Sequence, residues 1–343
     1  MPVIAVDVMS GERGALECIR GAVLAIAADP DLQLLLVGDA NLIASELDSL
    51  RLAPGLRARL DIVAAAEVVL MTDAPREAIR RKKRSSMRIA IDLVHERRAG
   101  GVVSAGNTGA LTAIAHFVLK CLPGIERAPI MSAIPNARSV THMLDLGANT
   151  RATPLQLLQF AVMGSIVARD VHGVQTPRIG LLNIGAEETK GHELVQEAHV
   201  LLRALAAHAD PARRIDYRGF VEGHDIFTGD VDVVVTDGFT GNVALKTMEG
   251  VAALIGARLR SEFRASFVTR LAGLIAQPVL RRVSGSLDPR RFNGAVMVGL
   301  GGVVVKSHGS AERVALARAI AIAAAAVRGG LVGHVDQALG AAH

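Results

Sequence analysis

Tryptophan is absent from the 343 residues, tyrosine occurs once, at Tyr217, and aromatic residues make up 3% of the chain. Stacking on single-stranded nucleic acid needs exposed rings, and so does extensive carbohydrate stacking, so neither is expected. Cysteine occurs twice, as Cys18 and Cys121, which gives no disulfide framework, and no zinc-ligand spacing surrounds either. Both fall within or at the end of helical patterns, away from the turns, and are read as inert. No run of 18 apolar residues exists, so nothing is expected to span a membrane as a helix. The opening "MPVIAVDVMSGERG" lacks a basic n-region and a signal-like apolar stretch. A reduced, soluble, cytoplasmic protein is the expectation. Nucleotide signatures are missing as well. There is no suitable Gly-Lys-Ser/Thr, and "GNTGALTA" does not supply the dinucleotide-binding glycines.

What is present is core-forming material: hydrophobic residues make up 50% and charged residues 21%. The formal net charge is +5, and the excess is clustered. Residues 79–98 hold eight cations, Arg80 to Arg84 together with Arg88, Arg97 and Arg98, against Asp92 and Glu96. Residues 251–292 hold eight arginines against Glu262 and Asp288. Two basic patches favour an acidic partner or an anionic surface.

The recurring unit is a β-branched run, a Gly-rich turn and a longer helical pattern. "VIAVDV" (3–8), "LQLLLVGD" (32–39), "LDIVAA" (60–65), "GGVVSAGNTGA" (100–110), "RIGLLNIG" (178–185), "DVDVVVTDGFTGN" (230–242) and "GGVVVKSHGSAE" (301–312) all open such units. "APIMSAIPN" and "HMLDLG" read as two strands that could pair across "ARSVT", and a single basic helix is expected near 75–98. Strands alternating with helices imply βαβ units, and continuous runs such as "VDVVV" imply burial on both sheet faces. The fold class is therefore α/β, a mostly parallel sheet with flanking helices. The chain reads as one unit over 1–343, with or without two subdomains around a central cleft.

The stretch 246–285 differs. Apolar residues recur at 251, 255, 259, 263, 267, 271 and 275. Each i+4 step advances about 40° around a helix, so seven such positions cannot share one straight face. A break near Ala265–Ser266 and a protruding helical hairpin follow. The hairpin suits either dimer or core packing, or contact with an anionic membrane or acidic partner.

Five strand-to-helix junctions carry Gly and small polar residues: "DVMSGERG", "SAGNTGA", "NIGAEETKGHE", "DGFTGN" and "KSHGSAE". Helix N-termini expose unpaired N–H groups and partial positive charge, and Gly lets backbone approach an anion. One such turn is an ordinary cap. Several on one sheet edge, two carrying a lysine (Lys190, Lys306), suggest a site for phosphate or a developing oxyanion. Asp237 can cap its turn or orient a catalytic group, Asn242 can be an N-cap or a ligand, and His308 can be a loop histidine or a donor. Ser104 lacks the preceding Gly-x of a nucleophile elbow and is not read as a covalent nucleophile. Glu187 and Glu188 are expected to face solvent or hold Lys190. His116 is read as a satisfied core or interface histidine. Asp7, Glu187, Glu188, Asp237 and His308 show no metal-ligand spacing, so no metal is expected.

Taken together, "IAVDVMSGERG", "RRKKRSSM", "VSAGNTGA", "LLNIGAEETKGHELV", "DGFTGNVALKTMEG" and "GGVVVKSHGSA" resemble, in order, the motifs of the PlsX family, over about residues 3–328. These are the acyl-acyl carrier protein–phosphate acyltransferases of bacterial phospholipid synthesis. The resemblance implies a fold like isocitrate/isopropylmalate dehydrogenases and phosphotransacetylases. It implies acyl transfer from acyl carrier protein to orthophosphate, without a cofactor. It also implies a homodimer at the cytoplasmic membrane face that hands acyl phosphate to a membrane glycerol-3-phosphate acyltransferase. On this basis Lys306, Asn242, Lys190, His308 and Asp237 are the candidate catalytic residues. Ser104, Gly106, Asn107, Thr108, Gly241, Ser307, Gly309 and Ser310 are the candidate phosphate or substrate ligands. The sequence departs from the family pattern at Ser10 and Glu12, where Gly and Asp are usual, and at His192, where Asn is usual. An acyl-CoA phosphotransacetylase, an NAD-dependent decarboxylating dehydrogenase of the same fold and a non-catalytic basic scaffold are the rival readings.

Overall fold

The computed structural model describes residues 1–210, 214–286 and 292–340. The strands are β1 (Val3–Asp7), β2 (Gln33–Gly38), β3 (Leu60–Ala64), β4 (Gly101–Ser104), β5 (Ile130–Pro135), β6 (Val140–Leu144), β7 (Arg178–Leu182), β8 (Asp216–Val221), β9 (Val233–Val235), β10 (Ala295–Met297) and β11 (Val303–Lys306). They form one sheet in the order β3-β2-β1-β4-β11-β10-β5-β6-β9-β7-β8.

Side chains alternate across this sheet with period two. Ile4, Val6, Leu34, Leu36, Val103, Val303 and Val305 enter one core, shared with the helices Ala15–Ala28, Pro154–Asp170 and Arg313–Arg328. Ala5, Leu35, Val37, Val102 and Val304 enter the other, with the helices Ser86–His95 and Thr108–Leu119. Apolar residues on both faces explain why these strands read as continuous runs.

Several of the Gly-turns, those of Lys190 and Lys306 among them, were expected on one edge, and the strand directions correct this. The unforeseen β10 pairs antiparallel to both β11 and β5, and β5 pairs antiparallel to β6. Strands β1, β4 and β11 therefore end at one edge of the sheet, and β7 and β9 end at the other. The hairpin across "ARSVT" does form, as β5 and β6.

The basic stretch 75–98 is two helices, Pro75–Arg81 and Ser86–His95, rather than one. Ser85 accepts from the Arg88 N–H and starts the second helix, as an N-cap serine should. A last helix, Leu331–Gly340, was also not foreseen. The long helix Gly238–Arg264 ends next to Ala265 and a second runs Phe267–Ser286, so the break falls where helical drift requires it. There Ser266 and Thr269 exchange bonds: each hydroxyl accepts the other's N–H. Arg258, Arg260, Arg264 and Arg270 are exposed on this hairpin. Asp288, Arg290 and Arg291 of the second basic patch lie outside the described residues.

His142 on β6 is buried, and its ring centroid lies 4.1 Å from that of His172 beside a cavity of about 70 Å³. Burial lowers the His142 pKa to about 4 and that of His172 to about 3. Well above pH 6.5 both rings are neutral in either state. As pH falls below 6.5, the unfolded chain binds protons that the folded chain refuses, so stability declines toward pH 4. The His142 part is roughly 3 kcal/mol. His142→Leu should flatten the stability decline between pH 6.5 and 4 in urea titrations. An unchanged slope would refute the assignment.

Candidate active site

At the first edge, β1, β4 and β11 end in register, with Asp7 opposite Ser104 and Ser104 opposite Lys306. Ser104 Oγ donates to Asp7 Oδ2 at 2.8 Å and accepts the Gly106 N–H at 3.1 Å. Ser10 Oγ donates to the Asp7 carbonyl and accepts the Ala105 N–H. An added Cβ at Gly106 would stand 2.6 Å from Met87 Cε and 3.1 Å from Ser10 Cβ, so a larger residue there would have to displace the Met87 side chain. Asn107 caps the next helix by accepting the Ala110 N–H, and its Nδ2 donates to the carbonyls of Met71 and Asp73. Thr108 is exposed in the first helical turn.

The "KSHGS" turn sits beside it. Lys306 is 9% exposed, and its Nζ donates to the Ser307 carbonyl. Burial lowers its pKa to about 8; Glu12 and Asp7 act to raise it, and Lys246 to lower it further. Ser307 is buried: its N–H donates to the Ser104 carbonyl and its Oγ accepts from Asn293 Nδ2. Asn293 Oδ1 accepts the His308 N–H, so this one amide braces the turn. Ser310 N–H donates to His308 Nδ1. In the neutral ring that leaves the proton on Nε2, a hydrogen-bond donor on an exposed side chain. Gly309 accepts the Glu12 N–H through its carbonyl at 2.7 Å, tying the β1 turn to this one.

The second group of turns lies at the other edge. Asp237 is the N-cap of the helix Gly238–Arg264; its carboxylate accepts from Phe239 N–H, Thr240 N–H and Thr240 Oγ1. It bonds neither Lys306 nor Asn242, contrary to the orienting role expected of it, because the cap uses its oxygens. Gly241 packs against the loop after β6, where a Cβ would fall 1.9 Å from the Asp145 carbonyl oxygen. Asn242 is exposed in the first helical turns, beside Gly147. Lys190, after β7, is exposed and makes no ion pair among the described residues. Glu188 bonds Arg203 instead of holding Lys190.

The two groups are linked through a face rather than an edge. Asp7, Ser104 and Lys306 lie two residues beyond Ala5, Val102 and Val304, and so share their face. Leu245 and Met248 pack against that same core, which brings Lys246 close enough to depress Lys306.

His192 is the N-cap of the helix Glu193–Ala206 but makes no side-chain capping bond. His192→Asn should supply one, adding about 0.5–1 kcal/mol of stability. Turnover should be unchanged; a clear loss in a thioester assay would make His192 functional.

Three residues that brace the site, Asn293, Asp145 and Asn149, carry only local turn signals in the sequence. Asn293 stands before Gly294, whose φ of 118° suits glycine, and the Asn-Gly pair is the signal that marks the spot. Asp145 and Asn149 sit in "DLGAN" at a strand end, the composition of a side-chain-bonded turn. Among the described residues no three His, Cys, Asp or Glu side chains converge as metal ligands.

Residues 3–333 match the family model described as fatty acid synthesis protein. The chain belongs to this family. A curated relative from Methylococcus capsulatus, named phosphate acyltransferase, is 50% identical over 323 residues, 94% of this chain and 92% of the relative. One of the same name from Alkalilimnicola ehrlichii is 49% identical over 336 residues, 98% of this chain and 95% of the relative. Such identity over nearly the whole chain makes this family member an acyltransferase. Among solved structures, a phosphotransacetylase from Streptococcus pyogenes aligns with TM-score 0.65 at 16% identity, covering 95% of this chain and 94% of that one. A 4-hydroxythreonine-4-phosphate dehydrogenase from Burkholderia phymatum aligns with TM-score 0.53 at 13% identity, covering 95% and 98%. At such identities these two establish the fold alone, the phosphotransacetylase and dehydrogenase type that the sequence implied.

Proposed function

We propose that the protein transfers a fatty acyl group from acyl carrier protein to orthophosphate, giving acyl phosphate for phospholipid synthesis. The observation that carries this reading is Lys306, a buried cation among Gly-turn amides with a His308 N–H donor nearby. Orthophosphate is itself the nucleophile, so no serine or cysteine need attack. A phosphate oxygen bonds to the thioester carbon, the C–S bond breaks, and the phosphate proton ends on the thiol sulfur. A thiol of pKa about 8.5 leaves readily, so the demand is for charge stabilisation and alignment. Lys306 and His308 suit the anion or the developing oxyanion. Lys190 and Asn242, at the other sheet edge, are the further candidates for the remaining charge.

A basic groove supports a carrier-protein donor. Arg80, Lys83 and Arg88 line a hollow of about 350 Å³ with Ile79 and Phe117. Phe117 is on the helix that begins at Thr108, so the groove and the "GNTG" turn share one element. An acidic carrier protein matches this surface.

Incubating the purified protein with long-chain acyl carrier protein and phosphate should give acyl phosphate, trapped as the hydroxamate. Absence of product would sink the reading. The same assay with acyl-CoA tests the second reading, phosphotransacetylation. We also propose a homodimer in peripheral contact with the cytoplasmic membrane, where a glycerol-3-phosphate acyltransferase would take the product. Among the described residues no single helix is long and apolar enough to cross a membrane. The hairpin, however, leaves Leu254, Phe267, Val268, Leu274 and Ile275 more than half exposed, an apolar stripe that such contacts would cover.

A further inference from the structure

The row Asp7–Ser104–Lys306 crosses three adjacent parallel strands at a single register level. Neighbouring strands lie about 4.8 Å apart, so the carboxyl and the lysine flank the serine hydroxyl on the same sheet face. Asp7 is 1% exposed. One of its oxygens, Oδ2, takes the Ser104 hydroxyl; the other, Oδ1, is buried with no hydrogen-bond partner among the described residues. A buried carboxyl with an unused oxygen is costly to keep unless it serves a nearby charge. The charge on the row is Lys306.

We propose that Asp7 is a positioning residue that holds Lys306 in its charged form and Ser104 in its present orientation, acting along the cross-strand row. This rests on the phosphate acyltransferase reading of the site. Two effects reach Lys306. Burial disfavours charge on Asp7, whose pKa it raises, as it does on Lys306, so the two charges sustain each other: the Asp7 carboxylate offsets the burial that favours a neutral amine. The Ser104 hydroxyl, fixed by Asp7, accepts the Gly106 N–H and so holds the turn beside "KSHGS" in place. The other groups facing the row are few. Glu12, from the turn after β1, acts with Asp7, and Lys246, from the helix over this face, acts against it. Cys18 stays a thiol because burial raises its pKa to about 12, and its Sγ donates to the Ser10 carbonyl. Ser10 and Ser86 also face Asp7 and are neutral.

The chain has six lysines, so carbon-13 lysine NMR can follow the Lys306 titration directly, its signal assigned by loss in Lys306→Arg. Asp7→Asn keeps an acceptor for Ser104 and removes the charge. The Lys306 midpoint should fall by about one pH unit. The alkaline limb of kcat/KM should move down with it, so that the loss is about fivefold greater at pH 8 than at pH 6. Asp7→Glu, which restores the charge, should return the midpoint toward the wild-type value. If the asparagine variant does not fold, Asp7→Ser, smaller and neutral, gives the same readout. An unchanged midpoint in the neutral variant overturns the proposal, and so does an activity loss equal at all pH values. Should the wild-type chain form no acyl phosphate from any thioester, the activity reading fails, while the Lys306 midpoint still decides the role of Asp7.

Discussion

Lys306→Ala lowers acyl phosphate formation by about 100- to 1,000-fold, the range found when one preorganised donor is removed from an oxyanion site. The size follows from burial. At 9% exposure, water cannot replace the ammonium as it could at Lys190, which is exposed. A charge in a low-dielectric setting also acts more strongly on a developing oxyanion. Stopped-flow or hydroxamate assays at saturating phosphate separate the effects. Lys306→Ala should lower kcat, whereas Lys190→Ala should chiefly raise the KM for phosphate. A kcat within threefold of wild type would remove Lys306 from the chemistry.

The same residue fixes the pH dependence. Burial lowers its pKa to about 8, so the cation is full below that pH and is lost as pH rises through it. The rate should therefore fall on the alkaline side of about pH 8, earlier than an ordinary lysine would dictate.

Much of this was legible because local chemistry and tertiary placement agree. The strands ending at Asp7, Ser104 and Lys306 were visible as apolar runs closed by Gly-turns, and they align across the sheet. The break at Ala265–Ser266 followed from helical drift alone. Strand direction was not legible. The three-residue strand Ala295–Met297 pairs antiparallel on both sides, so β5 again runs with β11 and the β5–β6 hairpin makes the net reversal; the short "AVM" run carries no periodic signal. That reversal puts the Lys190 and Asn242 turns on a different edge from Lys306, which no turn composition could reveal. Residue roles blurred for a related reason. Asp237, Asn107 and Ser307 are the polar types that make both ligands and braces, and only their bonds separate the uses.

Asp145→Ala should cost roughly 4–6 kcal/mol, a large part of a domain's typical stability of about 5–15 kcal/mol. Asp145 is fully buried at the end of β6, and its carboxylate accepts from the N–H groups of Ile130, Gly147, Ala148 and Asn149 and from Asn149 Nδ2. Removing it strands four backbone donors, at about 1–3 kcal/mol for each that water cannot reach. Asp145→Asn should cost less, since one acceptor oxygen survives while the amide NH2 opposes some of those donors. The consequence extends past stability. Gly238 donates its N–H to the Asn149 carbonyl, and Gly241 rests on the Asp145 backbone, so this loop seats the helix carrying Asn242 and Lys246. If loosening the loop unseats that helix, Asp145→Asn will lower kcat at temperatures where circular dichroism still reports a folded chain. Urea denaturation of both variants, with turnover measured below their midpoints, distinguishes the cases. A stability loss under about 1 kcal/mol in Asp145→Ala would mean the loop finds other acceptors.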